Sequence, residues 1–167
     1  TIGVVGVGAT GSGVIRRAKP FGGTVLGCDI RGVHPGHIKA LGVEMVSFDE
    51  LLERSDYVTL HTDLNETSHH LMSTAAFRAM KNIAILINLA RGPVVDEPAL
   101  VHALQTGEIA GAALDVFEHE PLPADSPLRA MDNVLLAPHN CNSSPKAWEN
   151  VHHSTLIQLL DGLKAGS

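Results

Sequence analysis

The opening turn of the chain constrains its fold more than any other stretch. Apolar residues at 2–7 predict a buried strand that leads into Gly6-x-Gly8-x-x-Gly11, and residues 12–21 predict a helix. A glycine turn between a strand and a helix lets backbone N–H groups approach a pyrophosphate, and the helix N-terminus adds partial positive charge. The turn therefore predicts a βαβ unit that binds a dinucleotide.

An acidic residue at the expected distance supports this interpretation. A second apolar strand at 25–28 leads into Asp29, 18 positions after Gly11. A carboxylate at that place in a dinucleotide-binding unit bonds the ribose hydroxyls. A glycine-rich turn that binds no ligand has a similar pattern, but the register of strand, helix, strand and acid favours the dinucleotide.

The rest of the chain alternates short apolar strands with amphipathic helices. This alternation indicates a parallel sheet covered on both faces. We therefore predict an α/β fold of the Rossmann type, a doubly wound and mostly parallel sheet, as a single dinucleotide-binding domain over residues 1–167. Further strands are predicted at 44–46, 57–60, 83–88, 111–116 and 134–137, and further helices at 35–41, from a cap at 47 or 49 to 53, and at 75–80, 97–105 and 144–163.

Composition narrows the class of protein. A net charge of −6 without a basic cluster argues against a nucleic-acid surface. No apolar run is long enough to span a bilayer, and no signal segment is evident. Cys28 and Cys141 are two distant thiols rather than a disulfide framework, which favours a reducing cytoplasm. Because the sequence opens inside a predicted strand and without Met, we expect a piece of a longer protein.

Polar side chains follow several of the predicted strands. In doubly wound sheets, ligands bind at the carboxyl ends of the strands. Arg91 follows one apolar strand, and its guanidinium can hold a carboxylate through two parallel bonds. An ion pair with a nearby surface acid, Asp96 or Glu97, is the alternative for this arginine.

His139 follows the last predicted strand and suits proton transfer near neutral pH. A carboxylate bonded to the ring nitrogen that does not transfer the proton would fix the tautomer of the imidazole. By spacing, both Glu118 and Glu120 are candidates for this carboxylate. Asp115, at the end of another strand, can accept a bond from an amide such as a nicotinamide carboxamide, or can cap a loop.

A metal site is not predicted. The pairs His69-His70 and His152-His153 are adjacent in sequence, and neighbouring helical positions point in different directions. We expect Trp148 and the leucines of the last helix to belong to the core.

Several motifs in order resemble one family. They are the glycine turn with Asp29, Ser55-Asp-Tyr-Val-Thr-Leu-His61, Met80-Lys-x-x-Ala-Ile-Leu-Ile-Asn-x-Ala-Arg-Gly-x-Val-Val-Asp96, Gly111-Ala-Ala-Leu-Asp-Val-Phe-Glu-x-Glu-Pro121 and Asn133-Val-Leu-Leu-Ala-Pro-His139. Together they resemble, essentially end to end, the cofactor domain of the D-isomer-specific 2-hydroxyacid dehydrogenases.

The resemblance implies catalytic roles for Arg91, Glu120 and His139. The family's glutamate directly precedes a proline, which selects Glu120 over Glu118. Arg91 would anchor and polarise a 2-oxo acid, and His139, held by Glu120, would give a proton to the carbonyl oxygen while a nicotinamide delivers hydride. The residues that the resemblance implies for cofactor binding are Gly6, Gly8, Ala9, Thr10, Gly11, Asp29, Thr62, Leu89, Ala90, Arg91, Asp115, His139 and Asn142.

The resemblance also implies partners. The cofactor is expected to be NAD, because a 2′-phosphate would face the negative charge of Asp29, although Arg31 leaves NADP as a minority alternative. The substrate is expected to be a small 2-hydroxy or 2-oxo acid, and the assembly a homodimer, with no nucleic-acid or membrane partner. The family's substrate domain is absent, so the chain alone is expected to turn over poorly. An NAD-sensing module of the corepressor type is the alternative function.

Two departures from the family pattern lie near the expected site. Asp63 stands where a proline is frequent, and residues 140–142 are polar where a small or apolar run is usual. The first departure is expected to alter the loop beside the cofactor. The second is expected to alter packing on the nicotinamide side and substrate preference.

Overall fold

The computed structural model describes residues 1–165 and contains one seven-stranded parallel sheet. Its strand order, β3-β2-β1-β4-β5-β6-β7, has the reversal beside β1 that defines a doubly wound sheet. The predicted fold class is therefore confirmed. The strands are β1 Ile2–Val5, β2 Val25–Cys28, β3 Glu44–Met45, β4 Tyr57–Leu60, β5 Ile85–Asn88, β6 Gly111–Leu114 and β7 Val134–Leu136.

In the described residues, six α-helices connect or follow the strands, each close to a predicted position. They are α1 Ala9–Ala18, α2 Pro35–Leu41, α3 Phe48–Arg54, α4 Thr74–Ala79, α5 Glu97–Thr106 and α6 Pro145–Ala165. Side-chain caps explain several starts: Ser47 accepts from the Glu50 N–H before α3, and Asp96 accepts from the Ala99 N–H before α5. Short 3₁₀ helices add one turn at Lys19–Phe21, Gly92–Val94 and Pro127–Ala130, the last of them between β6 and β7, where no helix is predicted.

Strand register places the ends of six neighbouring strands side by side. Val5 pairs with Cys28 on one side and Leu60 on the other, and the line continues through Asn88 and Leu114 to Leu136. All pairings are parallel, so the segments that follow these strands emerge along one rim of the sheet. This rim is where the sequence placed its candidate site residues.

The core lies on both faces of the sheet. Val4 packs in a cluster with Ile15 and Leu41 from α1 and α2, whereas its neighbour Val5 packs in a larger cluster that includes α3, α4 and α5. Successive strand residues point to opposite faces. An apolar residue at each position is therefore what burial on both faces requires.

One expectation about the core is wrong. No side chain of residues 145–164 is buried, and Trp148 is 52% exposed, so the apolar residues of α6 do not belong to the core of the described residues. An amphipathic pattern shows that one face of a helix is apolar, but it does not show which surface covers that face. Within residues 1–165, no helix is both long enough and apolar enough to cross a membrane.

Candidate active site

After β1, the glycine turn brings the backbone of Gly11 close to that of Gly6. A Cβ on Gly11 would lie 1.9 Å from the Gly6 carbonyl oxygen, so only glycine fits there. A Cβ on Gly8 would meet nothing within 4 Å, which leaves that side of the turn open. Helix α1 begins at Ala9, earlier than predicted, because the turn itself forms the first helical residues.

At the N-terminus of α1, beside this open side, no side chain of the described residues takes the place that an anion would occupy. Gly8 is the N-cap, no side chain caps the helix, and its first turn contains no acidic residue. Ala9 and Thr10 are the first helical residues. Unpaired N–H groups at a helix start form an anion site, so the turn suits a pyrophosphate.

Asp29 holds the turn as well as facing the cleft beside it. Its Oδ2 accepts from the Val7 N–H at 2.8 Å, and its Oδ1 accepts from the Arg31 N–H at 2.9 Å. The Arg31 Nε lies 3.7 Å from Oδ1, with the arginine side chain 73% exposed. An ionised carboxylate has about four lone-pair sites, so Asp29 retains capacity for a ligand hydroxyl.

Two buried polar atoms line the same cleft without a partner. They are Thr62 Oγ1 and His61 Nδ1, at the end of β4, and neither has a hydrogen bond among the described residues. The other ring nitrogen of His61 lies 3.0 Å from Thr59 Oγ1, and burial lowers the pKa of the imidazole. Buried polar groups are normally satisfied, so this cleft of about 200 Å³ is suited to a polar ligand.

Arg91 lies on the segment after β5, and the side chain of Asn88 holds the backbone of this segment in place. The Asn88 side chain accepts from the Ala90 N–H and donates to the Arg91 carbonyl, both at 3.0 Å. Arg91 itself is exposed and donates only to the Ala90 carbonyl oxygen among residues 1–165. The pairing with Asp96 or Glu97 is not observed, because Asp96 caps α5 and Glu97 bonds Glu118. Leu89 is exposed, and Ala90 is buried.

Glu120 and His139 meet where the segments after β6 and β7 converge. Glu120 Oε2 lies 2.8 Å from His139 Nδ1, and Oε1 accepts from the Phe117 N–H at 3.0 Å. Burial opposes ionisation of Glu120, but these hydrogen bonds outweigh it, so the pKa of the carboxyl lies below its usual value. His139 Nε2 has no partner among the described residues, and both side chains line an open cleft of about 530 Å³.

The rival glutamate points elsewhere. Glu118 Oε1 lies 2.7 Å from His70 Nε2, and Oε2 accepts from the Glu97 N–H at 3.2 Å. The two candidates that spacing left open are thus separated by their contacts: Glu120 bonds His139 and Glu118 does not.

Asp115 anchors the segment after β7. Its buried carboxylate accepts from the Asn140 and Cys141 N–H groups at 2.9 and 3.0 Å. Burial raises the pKa of Asp115, but the bonds from Cys141 and Asn140 hold it below its usual value. Burial and the neighbouring Asp115 raise the pKa of the Cys141 thiol to about 11. Asn142 is exposed in the same turn, and its carbonyl accepts from the Ser144 N–H.

Sequence reasoning assigned no role to several residues of the rim. His61 stood in a quoted motif, and its position at a strand end was the available signal. His70 and Glu118 lie 48 positions apart and gave no signal of their contact. The His69 and His70 rings stack with centroids 4.0 Å apart, and residues 1–165 contain no group of three or more metal-type ligands arranged around one point.

Comparison with known proteins identifies the family. The family model described as the NAD binding domain of the D-isomer specific 2-hydroxyacid dehydrogenases matches residues 1–141. A protein named glyoxylate reductase from Korarchaeum cryptofilum is 50% identical over 145 residues, which are 86% of this chain and 43% of that protein.

Solved structures agree with this match. A D-isomer specific 2-hydroxyacid dehydrogenase from Lactobacillus delbrueckii ssp. bulgaricus, in an NAD complexed form, superposes with a TM-score of 0.85 at 32% identity, covering 98% of this chain and 53% of that one. One from Xanthobacter autotrophicus Py2, in complex with NADPH and MES, has a TM-score of 0.76 at 38% identity, covering 83% and 44%.

The chain spans about half the length of the curated relatives that it matches. Its sheet order, its glycine turn and its motifs agree with the family model over most of its length. The chain belongs to the D-isomer specific 2-hydroxyacid dehydrogenase family, whose NAD-binding domain it matches.

Proposed function

We propose that the protein containing this chain reversibly reduces a 2-oxo acid to a D-2-hydroxy acid with a nicotinamide cofactor. The observation that carries this proposal is the Glu120–His139 contact of 2.8 Å, two strands from the exposed guanidinium of Arg91. A proton donor and a carboxylate anchor along one rim are what reduction of a 2-oxo acid requires.

The residues of the rim fit a dinucleotide. The open Gly8 and the uncapped start of α1, with Ala9 and Thr10, would hold the pyrophosphate. Asp29 would accept from a ribose hydroxyl, and the unpartnered Thr62 Oγ1 would gain a bond. Further along the rim, Leu89–Arg91, Asp115 and Asn142 would lie toward the nicotinamide, which supplies or takes up hydride when bound.

NAD is the cofactor that we propose, with NADP the alternative. Asp29 places a negative charge where a 2′-phosphate would lie. Arg31 is the only nearby cation in the cleft lining of the described residues, and it already lies 3.7 Å from Asp29. The balance of these charges therefore favours a free 2′-hydroxyl.

The protein side of the reaction follows from the site. Arg91 binds the carboxylate of the 2-oxo acid through two parallel N–H bonds and draws electron density from the adjacent carbonyl. Glu120 accepts from His139 Nδ1, which leaves Nε2 as the atom that gives a proton to the carbonyl oxygen. In the oxidative direction, neutral Nε2 takes the proton of the hydroxyl group.

Substrate, assembly and location are also proposals. A small acid such as glyoxylate is the first substrate to test, because the relative from K. cryptofilum is named glyoxylate reductase. A homodimer in the cytoplasm, without nucleic acid or membrane, agrees with the acidic charge of −6 and the two free cysteines. No observation favours the corepressor-type alternative.

The cofactor part is tested on the chain itself. We expect NADH to bind with a Kd at least about tenfold lower than that of NADPH, and Asp29→Ala to weaken NADH by a similar factor, since about 1.4 kcal/mol is tenfold. Titration by NADH fluorescence measures both, and Arg31→Ala is the control for loss of charge at the same cleft. Equal affinities for the two cofactors in the wild type would contradict the assignment of NAD.

Activity is tested with and without the rest of the protein. We expect the 167-residue chain to bind NADH but to reduce glyoxylate at a negligible rate, because it spans only about half the length of the relatives that it matches. The full-length enzyme should reduce it, and His139→Asn and Arg91→Lys should each lower kcat/KM at least about 100-fold. Rapid turnover by the chain alone would contradict this division of roles.

A further inference from the structure

Three segments of the rim are joined by a cluster that none of the proposed catalytic residues belongs to. The cluster consists of His70 after β4, Glu97 after β5 and Glu118 after β6, and we call it the clasp. Glu118 Oε1 lies 2.7 Å from His70 Nε2, and Glu118 Oε2 accepts from the Glu97 N–H at 3.2 Å. The Glu118 N–H in turn donates to Glu97 Oε2 at 3.2 Å.

These contacts differ from an ordinary surface ion pair. Both oxygens of one carboxylate are used on two different segments, and the Glu118 side chain is only 20% exposed. Reciprocal backbone-to-carboxylate bonds between Glu97 and Glu118 fix the two segments in register. Exposed pairs gain little because their side chains stay mobile, whereas here three groups constrain one another.

The backbone around the clasp is equally constrained. His70 has a φ of +50°, uncommon for a residue with a Cβ, and its N–H donates to the Pro93 carbonyl oxygen at 2.8 Å. A Cβ on Gly92 would lie 1.7 Å from the Phe117 carbonyl oxygen. The turn that follows Arg91 is therefore held by His70 on one side and lies directly against Phe117 on the other.

The backbone beside the clasp leads directly to two groups of the proposed active site, the Arg91 guanidinium and the Glu120 carboxylate. Gly92 follows Arg91, whose guanidinium has only the Ala90 carbonyl as a partner among residues 1–165, so its place depends on its backbone. Glu118 follows Phe117, whose N–H holds Glu120 Oε1. Movement of the clasp would shift the carboxylate anchor relative to the proton donor.

We propose that the clasp sets the position of Arg91 relative to the Glu120–His139 pair, so that His70 and Glu118 are positioning residues for the reduction of the 2-oxo acid. This inference rests on the function proposed above. Among residues 1–165, no hydrogen bond joins the clasp to the glycine turn or Asp29, so we expect its effect on the substrate side of the rim rather than on dinucleotide affinity.

The test uses the full-length enzyme that carries this domain, with glyoxylate and NADH as probes. In His70→Ala and Glu118→Ala, we expect kcat/KM for glyoxylate to fall about 10- to 100-fold, because misplacement by about 1 Å has effects of this size. KM for glyoxylate should rise and kcat should fall. The Kd for NADH should stay within about twofold, because the glycine turn and Asp29, which are expected to hold the pyrophosphate and a ribose, are untouched.

Conservative and control variants separate positioning from general damage. His70→Gln keeps an N–H donor at similar reach and should recover most of the activity, whereas His70→Ala cannot. Arg54→Ala removes an arginine that pairs with two carboxylates, Glu44 and Glu50, away from the rim, and should leave kinetics unchanged. Melting temperatures are measured for every variant, and activity is assayed well below them.

The double variant His70→Ala/Glu118→Ala completes a double-mutant cycle. If the two side chains act through one contact, the double loss should be no larger than the greater single loss. An active wild type whose clasp variants keep normal kcat/KM, or lose it only through NADH affinity, would overturn the clasp alone. A wild type that binds NADH but reduces no 2-oxo acid would overturn the proposed function, and the role of the clasp with it.

Discussion

His139 illustrates how much at this site depends on single backbone conformations. Its φ is +53°, in the left-handed region that costs a residue with a Cβ about 1–2 kcal/mol. Asp115 compensates by accepting from the N–H groups of the next two residues, Asn140 and Cys141. Such strain persists only where surrounding contacts hold it. The imidazole thus meets Glu120 because a buried acid fixes the turn beyond it.

Gly92 is a second residue at which sterics decide the outcome. We expect Gly92→Ala to destabilise the chain by about 3 kcal/mol or more, because the added Cβ would overlap the Phe117 carbonyl and backbone cannot yield as a side chain can. Gly13→Ala, inside α1 where the nearest atom is the flexible Arg17 guanidinium at 3.4 Å, should stabilise by about 0.5–1 kcal/mol.

Urea denaturation of both variants measures these effects. A Gly92→Ala protein as stable as the wild type would show that the turn after Arg91 can move away from Phe117, and would weaken the case for the clasp as well.

The sequence predicted a residue of the site only where a motif gave both the type of residue and its position. Arg91, His139 and the glycines of the turn stood at predicted strand ends. The choice between Glu118 and Glu120 was open by spacing, because two positions in a loop do not determine direction. Their partners, His70 and His139, settle which carboxylate faces which histidine.

Among the elements, the strands and the last helix behave differently. The strands were predicted well because burial on both faces leaves short apolar runs between turn signals, although β1, β3, β6 and β7 end earlier than predicted. Helix α6 was predicted as an element but assigned to the wrong environment. Trp148 and the leucines at 156, 159, 160 and 163 are each more than half exposed.

A truncation tests this view of α6. We expect residues 1–144 to keep a melting temperature within about 4 °C of the full chain, because no side chain of residues 145–164 is buried and about 1 kcal/mol shifts Tm by that amount. NADH affinity should stay within about twofold. Phe77→Ala in α4, a fully buried position, is the contrasting variant and should cost about 3–5 kcal/mol.

Circular dichroism melts and NADH titration measure both outcomes. Loss of cooperative unfolding in the truncated chain would show that α6 stabilises the sheet through contacts that its exposure does not suggest.

For the molecule as a whole, the free energy of unfolding depends on titratable groups that lie along the rim of the site. Burial lowers the pKa of His61, so the unfolded state takes up its proton at a higher pH than the folded state does. Its contribution to stability is complete above the unfolded value of about 6.5 and is lost as pH falls toward the lowered folded value. The lowered pKa values of Asp115 and Glu120 act with the same sign at more acidic pH.

The expected result is a free energy of unfolding that rises with pH between about 5 and 7, with a slope from His61 of at most about 1.4 kcal/mol per pH unit. His61→Asn should flatten this slope. His102→Asn, at an exposed position of α5, should not. Urea titrations at pH 5, 6 and 7 provide the comparison, and a slope unchanged in His61→Asn would exclude this histidine as its source.

Sequence alone determined the fold class, the order of elements and the rim on which polar residues gather, because strand burial, glycine turns and helix caps are local signals. It did not determine which carboxylate serves which histidine, that Asp29 also holds the glycine turn, or that α6 leaves its apolar face exposed. Those outcomes depend on contacts between segments far apart in the chain, such as the 48 positions that separate His70 from Glu118. Only the packed sheet brings such segments within hydrogen-bond reach.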